Sequence, residues 1–287
     1  MTLARDVAGV HFDNPILLAS GTAGFGRELA GVVALDRVGG LVTKAVSLEP
    51  RDGNRPPRVA EIDGGMLNSV GLANPGAEFV RRDALPWIGA HLPALRVLVN
   101  VVGFTIDEYA RTIARLDDGP THVAYELNLS CPNTAAGGVE FGADPALVGE
   151  VVASCRRATR RPLFAKLSPA LPSIPVVARA ARDAGADGLT LVNTMPGTAH
   201  LRGTPRVGNG YGGVSGPALL PVGLLAVSRV AEALPGVPII GVGGVSRVEH
   251  VRDYLRAGAS LVAIGTAALA DPHLPERLVA QLEQQRG

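Results

Sequence analysis

One cysteine, two lysines and a group of asparagines are the residues of this sequence with chemistry to offer. Cys131 lies in Asn128-Leu129-Ser130-Cys131-Pro132-Asn133, ahead of Gly137-Gly138, and therefore in a loop. A loop thiol can serve as nucleophile or as base. Cys155 falls instead on the helical pattern Val151–Arg157, where a free cysteine is an inert packing residue. Of the 27 basic residues only Lys44 and Lys166 are lysine, and the other 25 are arginine. Compositional bias accounts for the arginines and leaves open why these two positions are lysine. Lys166 directly follows the apolar run Leu163–Ala165. A compact ammonium there can approach an electron-rich ring nitrogen without imposing a planar fork. Stabilising negative charge that develops on a cofactor is such a task. No histidine stands where a Cys–His hydrolytic pair needs one. Two distant cysteines and scattered histidines make no metal site.

These residues must be positioned by something, and the pattern of the chain says what. Short apolar runs alternate with amphipathic stretches of helical length, which predicts a parallel sheet wrapped by helices. Eight strands are expected, near Ile16–Leu18, Leu41–Thr43, Val97–Val99, Ala124–Leu127, Leu163–Ala165, Leu189–Val192, Ile239–Val242 and Leu261–Ile264. Helical patterns separate them at Ile106–Leu116, Ala146–Arg157, Val176–Asp183, Leu219–Leu234 and Arg247–Arg256. Ala184-Gly185-Ala186 and Ala257-Gly258-Ala259 form a partial repeat, each with glycine where a helix C-terminus wants a left-handed residue. The expected fold is one (β/α)8 barrel domain over residues 1–287, in keeping with the roughly 250 residues such a barrel needs. A doubly wound sheet could also carry the repeat. Strand-to-helix connections read as long loops: Ser47–Pro75, Ser130–Asp144 and Met195–Ser215.

Barrel active sites are built at the strand C-terminal ends. Here those ends read Ser20, Lys44, Asn100, Asn128, Lys166, Asn193, Gly243-Gly244 and Gly265-Thr266. Three of only nine asparagines and both lysines fall in that ring, and Asn68 lies in the long second loop. Asparagine capping or turn formation explains any one of these positions but not the set. The glycines after strands seven and eight suit a phosphate cradle. There is neither a P-loop nor a Rossmann fingerprint.

Composition narrows the classes further. A formal net charge of +1 gives no electrostatic footprint for nucleic acid. The longest apolar runs, Gly216–Val227 and Leu261–Ala270, fall short of the roughly 20 residues of a membrane span. Two cysteines cannot hold an iron–sulfur cluster alone. With Arg5, Asp6 and His11 near its start the sequence shows no apolar leader pattern, so a cytoplasmic protein is expected.

Ala19-Ser20-Gly21, Thr43-Lys44-Ala45, Asn68-Ser69-Val70-Gly71-Leu72-Ala73-Asn74-Pro75-Gly76, Asn128–Asn133, Ala165-Lys166-Leu167 and Val192-Asn193-Thr194 together resemble the class 1 dihydroorotate dehydrogenases. Gly138–Gly142 and Gly212–Pro217 resemble the NAD-linked type B catalytic subunit. The resemblance implies an FMN-containing barrel that oxidises dihydroorotate to orotate in pyrimidine biosynthesis. Cys131 would remove the proton from substrate C5, and hydride would pass from C6 to the flavin. The FMN positions it implies are Ser20, Lys44, Ala45, Asn100, Asn128, Lys166, Val192, Gly216, Gly243, Gly244, Gly265 and Thr266, with Lys166 near flavin N1. The substrate positions are Lys44, Asn68, Ser69, Val70, Gly71, Leu72, Asn128, Asn193 and Thr194. Ser69, Val70 and Ala73 depart from the forms expected, while the asparagines are intact. The resemblance also implies a homodimer joined by a subunit carrying FAD and a 2Fe-2S cluster, as a heterotetramer that reaches NAD. The same oxidation with fumarate and no second subunit, a related FMN barrel acting on another dihydropyrimidine, and a non-enzymatic barrel are the competing expectations.

Overall fold

A computed structural model describes residues 3–129, 132–133 and 139–284. Eight parallel strands close into a barrel: β1 (Ile16–Leu18), β2 (Gly40–Val42), β3 (Val97–Val101), β4 (His122–Asn128), β5 (Leu163–Leu167), β6 (Gly188–Leu191), β7 (Ile239–Val242) and β8 (Leu261–Ile264). Each pairs with the next in sequence, and β8 pairs with β1, so the fold is the expected (β/α)8 barrel. The predicted strands agree to within a few residues. Lys166 and Asn100 were expected just past their strands, whereas both lie inside them, held by ladder hydrogen bonds on either side.

Alternation along the strands builds two cores from one sheet. Leu17, Val42, Leu98, Ala124, Phe164, Ile240 and Ala263 point inward and fill the lower barrel. Their sequence neighbours Leu18, Leu41, Val99, Tyr125 and Ala165 point outward, as do Leu127 and Leu189. The outward set packs on helices Ile106–Leu116, Pro145–Ala158, Ile174–Asp183, Leu220–Ala233, Val248–Arg256 and Leu274–Gln284. Two helix starts are capped as composition suggests. Thr105 accepts from the Glu108 N–H at 3.2 Å, and Asp144 accepts from the Ala146 N–H at 2.8 Å.

Two features were not expected. An antiparallel hairpin, Arg5–Val7 with Val10–Phe12, closes the barrel floor, and its Val7 and Phe12 join the inner core. The stretches read as long loops after β2 and β6 also meet in one four-stranded antiparallel sheet. Its order is Met195–Gly197, Gly212–Ser215, Gly65–Asn68, Val59–Ile62. Each strand has only three or four residues, too few to show a period. The pairing becomes possible only when the barrel brings segments about 145 residues apart together. Cys155 is fully buried, with burial pushing its thiol up to about 12, as an inert packing cysteine should be.

Outside the barrel, a register shift between β3 and β4 sets His122 against the edge of Tyr125, with ring centroids 4.8 Å apart. His122 is fully buried, and neither ring nitrogen has a partner among the described residues. Burial, and then the nearby Arg161, push its pKa from 6.5 down to about 4. The unfolded chain therefore takes up this proton first as pH falls. Stability from this site is complete above pH 6.5 and is lost between there and pH 4, to the extent of roughly 3 kcal/mol. We expect His122→Phe to flatten that window, seen as a smaller difference in urea midpoint between pH 4.5 and 7.5. An unchanged difference would assign the acid sensitivity elsewhere.

Candidate active site

The inward face of the strands changes character near the barrel mouth. Above the apolar layer the inward residues are Asn100 on β3, Glu126 on β4, Lys166 on β5 and Thr190 on β6, all buried. Strand parity places them there: each stands two residues above an inward-facing Leu98, Ala124, Phe164 or Gly188. The Asn100 Nδ2 donates to Glu126 Oε1 at 2.6 Å, and the Lys166 ammonium approaches the same oxygen at 3.3 Å. Glu126 is 1% exposed and Lys166 7%, so this ion pair is inside the protein. The carboxylate decides which way the Asn100 amide faces, because only the NH2 side can donate. Asn100 Oδ1 is then left buried without a partner among the described residues, as is Thr190 Oγ1. Thr190 is opposite Lys166 in the ladder.

The other expected positions surround this layer. Lys44 is half-buried at the end of β2, where Thr43 Oγ1 donates to its carbonyl and accepts from the Asn100 N–H. Ala45 is buried against Val102 and Leu72. Ser20 is half-buried just past β1. Val192 is buried and bonds the Val242 carbonyl. Asn193 Nδ2 donates to Asn128 Oδ1 at 3.1 Å, which joins two expected substrate positions on different strands. Asn68 donates to the Gly213 carbonyl at 2.9 Å, and Thr194 packs on the same glycine, so the antiparallel sheet carries Asn68 to the Thr194 side of the mouth.

The loop after β2 is held by its own asparagines. Buried Asn74 accepts from the Ser47 and Gly76 N–H groups and donates to Ser47 Oγ and the Leu72 carbonyl. Gly71 and Leu72 are left-handed, at φ 71° and 59°. Ser69 and Val70 are tied to Asn54 through the Ser69 hydroxyl and the Val70 carbonyl. Cys131 lies outside the described residues. The chain leading to it is anchored, because the Leu129 N–H bonds the Lys166 carbonyl at 3.4 Å and the Gly142 N–H returns to the Leu129 carbonyl at 2.8 Å.

The glycine-rich ends of β7 and β8 were read as a phosphate cradle. Gly244 has φ 71°, and a Cβ there would sit 2.6 Å from the Leu220 nitrogen. Gly216 has φ 105°, and a Cβ would sit 2.7 Å from Gly65. Both places require bare backbone. Gly243 offers its carbonyl to Tyr254 Oη at 2.9 Å, and Gly265 leads into Thr266. Thr266 Oγ1 donates to Ser215 Oγ at 2.8 Å, which joins the antiparallel sheet to the end of β8. A polar buried layer with two oxygens that lack partners among the described residues, beside a glycine-lined rim, fits a flat heteroaromatic ring that carries amide groups and a phosphate tail.

Glu126, Thr190 and Ser215 were not among the residues singled out from sequence. Glu126 carried a usable signal, since it stands two residues before Asn128 in a strand and so shares its face. Among the described residues no group of acids, histidines and cysteines could hold a metal ion. Among them, too, no helix is long and apolar enough to cross a membrane.

The dihydroorotate dehydrogenase family profile matches residues 2–285. A protein of Pelobacter propionicus named dihydroorotate dehydrogenase B (NAD(+)), catalytic subunit, is 44% identical over 97% of this chain and 91% of its own. A protein of the same name from Desulforudis audaxviator is 45% identical over 97% and 90%. A Solibacter usitatus protein, 44% identical over 98% and 92%, is named as a putative dihydroorotate dehydrogenase A (fumarate). With a profile spanning nearly the whole chain, and relatives that align over nine-tenths of their own length, the chain belongs to the dihydroorotate dehydrogenase family.

Proposed function

We propose that this chain, as one barrel domain over residues 1–287, binds FMN in its mouth and oxidises (S)-dihydroorotate to orotate for pyrimidine biosynthesis. The observation that carries this reading, in a member of this family, is the buried layer of Asn100, Glu126, Lys166 and Thr190 with its partnerless oxygens. FMN, when bound, supplies a two-electron acceptor. Ser20, Lys44, Ala45, Asn100, Asn128, Lys166 and Val192 hold its ring, and Gly216, Gly243, Gly244, Gly265 and Thr266 hold its phosphate. Lys166 sets a positive charge against the ring from a dry position, where charge is felt strongly. Lys44, Asn68, Asn128, Asn193 and Thr194, with the turn Ser69–Leu72, bind the substrate. They match the amide edges and the carboxylate of a dihydropyrimidine. Cys131 takes the proton from C5.

Electrons leave through a partner subunit carrying FAD and a 2Fe-2S cluster, in a cytoplasmic heterotetramer built on a homodimer of this chain, and reach NAD. The relative whose name specifies fumarate supports a second reading, in which a small acceptor replaces the partner. Anaerobic addition of dihydroorotate to the purified yellow protein should bleach the flavin band within seconds. A colourless protein that FMN cannot reconstitute, or a flavin that dihydroorotate leaves oxidised, refutes the activity. Affinity capture from the native cell should recover a flavin–iron–sulfur subunit, and reproducible absence of one favours the fumarate reading.

A further inference from the structure

We propose that Glu126 is a positioning residue of this site: it fixes the Lys166 ammonium and the Asn100 amide and, by sharing the lysine's charge, sets how strongly Lys166 favours negative charge on the bound flavin. The proposal rests on the flavin reading above. It follows from one oxygen with two partners. Glu126 Oε1 accepts from Asn100 at 2.6 Å and lies 3.3 Å from the Lys166 nitrogen, all within the barrel and shielded from water. At 2.6 Å the amide contact is shorter than an ordinary N–H···O hydrogen bond.

A buried lysine that must be charged needs a counter-ion. A counter-ion in contact also reduces the field the lysine projects toward a third group. The carboxylate is therefore both the support of Lys166 and a limit on its strength. Asn100 is set by the same oxygen, which leaves its free Oδ1 directed away from the acid. Among the described residues the hydrogen-bond and ion-pair partners of the Glu126 carboxylate are Asn100 and Lys166.

Sulfite reads the field without substrate. Its sulfur lone pair forms a bond to N5 of the oxidised flavin, and the electron pair displaced into the ring leaves negative charge on the pyrimidine edge. Glu126→Gln removes the limit on Lys166 and keeps the side-chain shape. In the FMN-loaded protein the sulfite dissociation constant should fall about tenfold at pH 7, on the scale of one hydrogen bond to a charged group. That corresponds to a two-electron midpoint higher by about 30 mV.

An unchanged sulfite affinity and midpoint in Glu126→Gln overturns the proposal. A purely supporting role would lower thermal stability and leave both quantities in place. Should Glu126→Gln fail to fold, the double variant Glu126→Gln/Lys166→Met, which strands no buried charge, should regain the fold. A double variant as unfolded as the single one also overturns the pairing. A wild-type protein that takes up no FMN would sink the flavin reading and this one with it, whereas a wild type that loads FMN isolates the test to Glu126.

Discussion

Replacing Cys131 by alanine is expected to slow flavin reduction by dihydroorotate by about 10²–10⁴-fold, the range in which a positioned general base contributes. The reaction must break a C–H bond, and among the described residues the polar side chains near the mouth are amides, hydroxyls, the two lysines and the Glu126 carboxylate, whose Oε1 is already engaged by Asn100 and Lys166. A thiol with an ordinary pKa of about 8.5 needs only modest tuning for the task. The loop that carries it starts after Leu129, whose N–H bonds the Lys166 carbonyl. Stopped-flow reduction of wild type should accelerate as pH rises through the thiol pKa, and the variant should lose that dependence. Cys155→Ala is the control, since its thiol is fully buried and pushed up to about 12, out of reach of substrate. A Cys131→Ala protein that reduces at the wild-type rate would remove Cys131 from the mechanism.

The second large effect falls on stability. Lys166→Met should leave the Glu126 carboxylate buried with only Asn100 as a partner. Breaking a buried pair from one side costs about 3–5 kcal/mol, because the remaining charge loses its counter-ion and stays out of water. For a chain of this size the melting temperature should fall on the order of 10 °C, at roughly 2–4 °C per kcal/mol. FMN retention should fall with it. A surface lysine would lose at most about 1 kcal/mol on the same substitution. A melting temperature within 2 °C of wild type would therefore show that the pair is not desolvated.

The barrel was legible because it is a local pattern repeated eight times. Each strand is a short apolar run, each helix has a stripe, and glycine punctuates the helix ends at Gly185 and Gly258, at φ 107° and 109°. Much of the mouth was legible for a related reason. A strand end shows in the sequence wherever an apolar run stops, so Asn128 and Asn193 could be found by position. Lys166 and Asn100 were found by type and adjacency, although they lie one step earlier, within the ladder. The antiparallel sheet was not legible. Gly65–Asn68 and Gly212–Ser215 carry no period of their own, and their pairing is worth forming only after the barrel has already brought them close.

By itself the sequence determined where eight strands would run, many of the side chains that stand at their ends, and that its only two lysines are among them. It could not say what those lysines would meet. Glu126 reads as one charged residue among 26 acids until closure sets its strand between those carrying Asn100 and Lys166. A strand's alternation specifies which face a residue takes, whereas the residue beside it on the next strand depends on strand order and register, which are properties of the assembled sheet. The tertiary structure thus decided that one lysine would be dry and paired while Lys44 remained half-exposed. The physical reason is desolvation: only inside the closed barrel does a charge need a partner strongly enough to determine what that partner is.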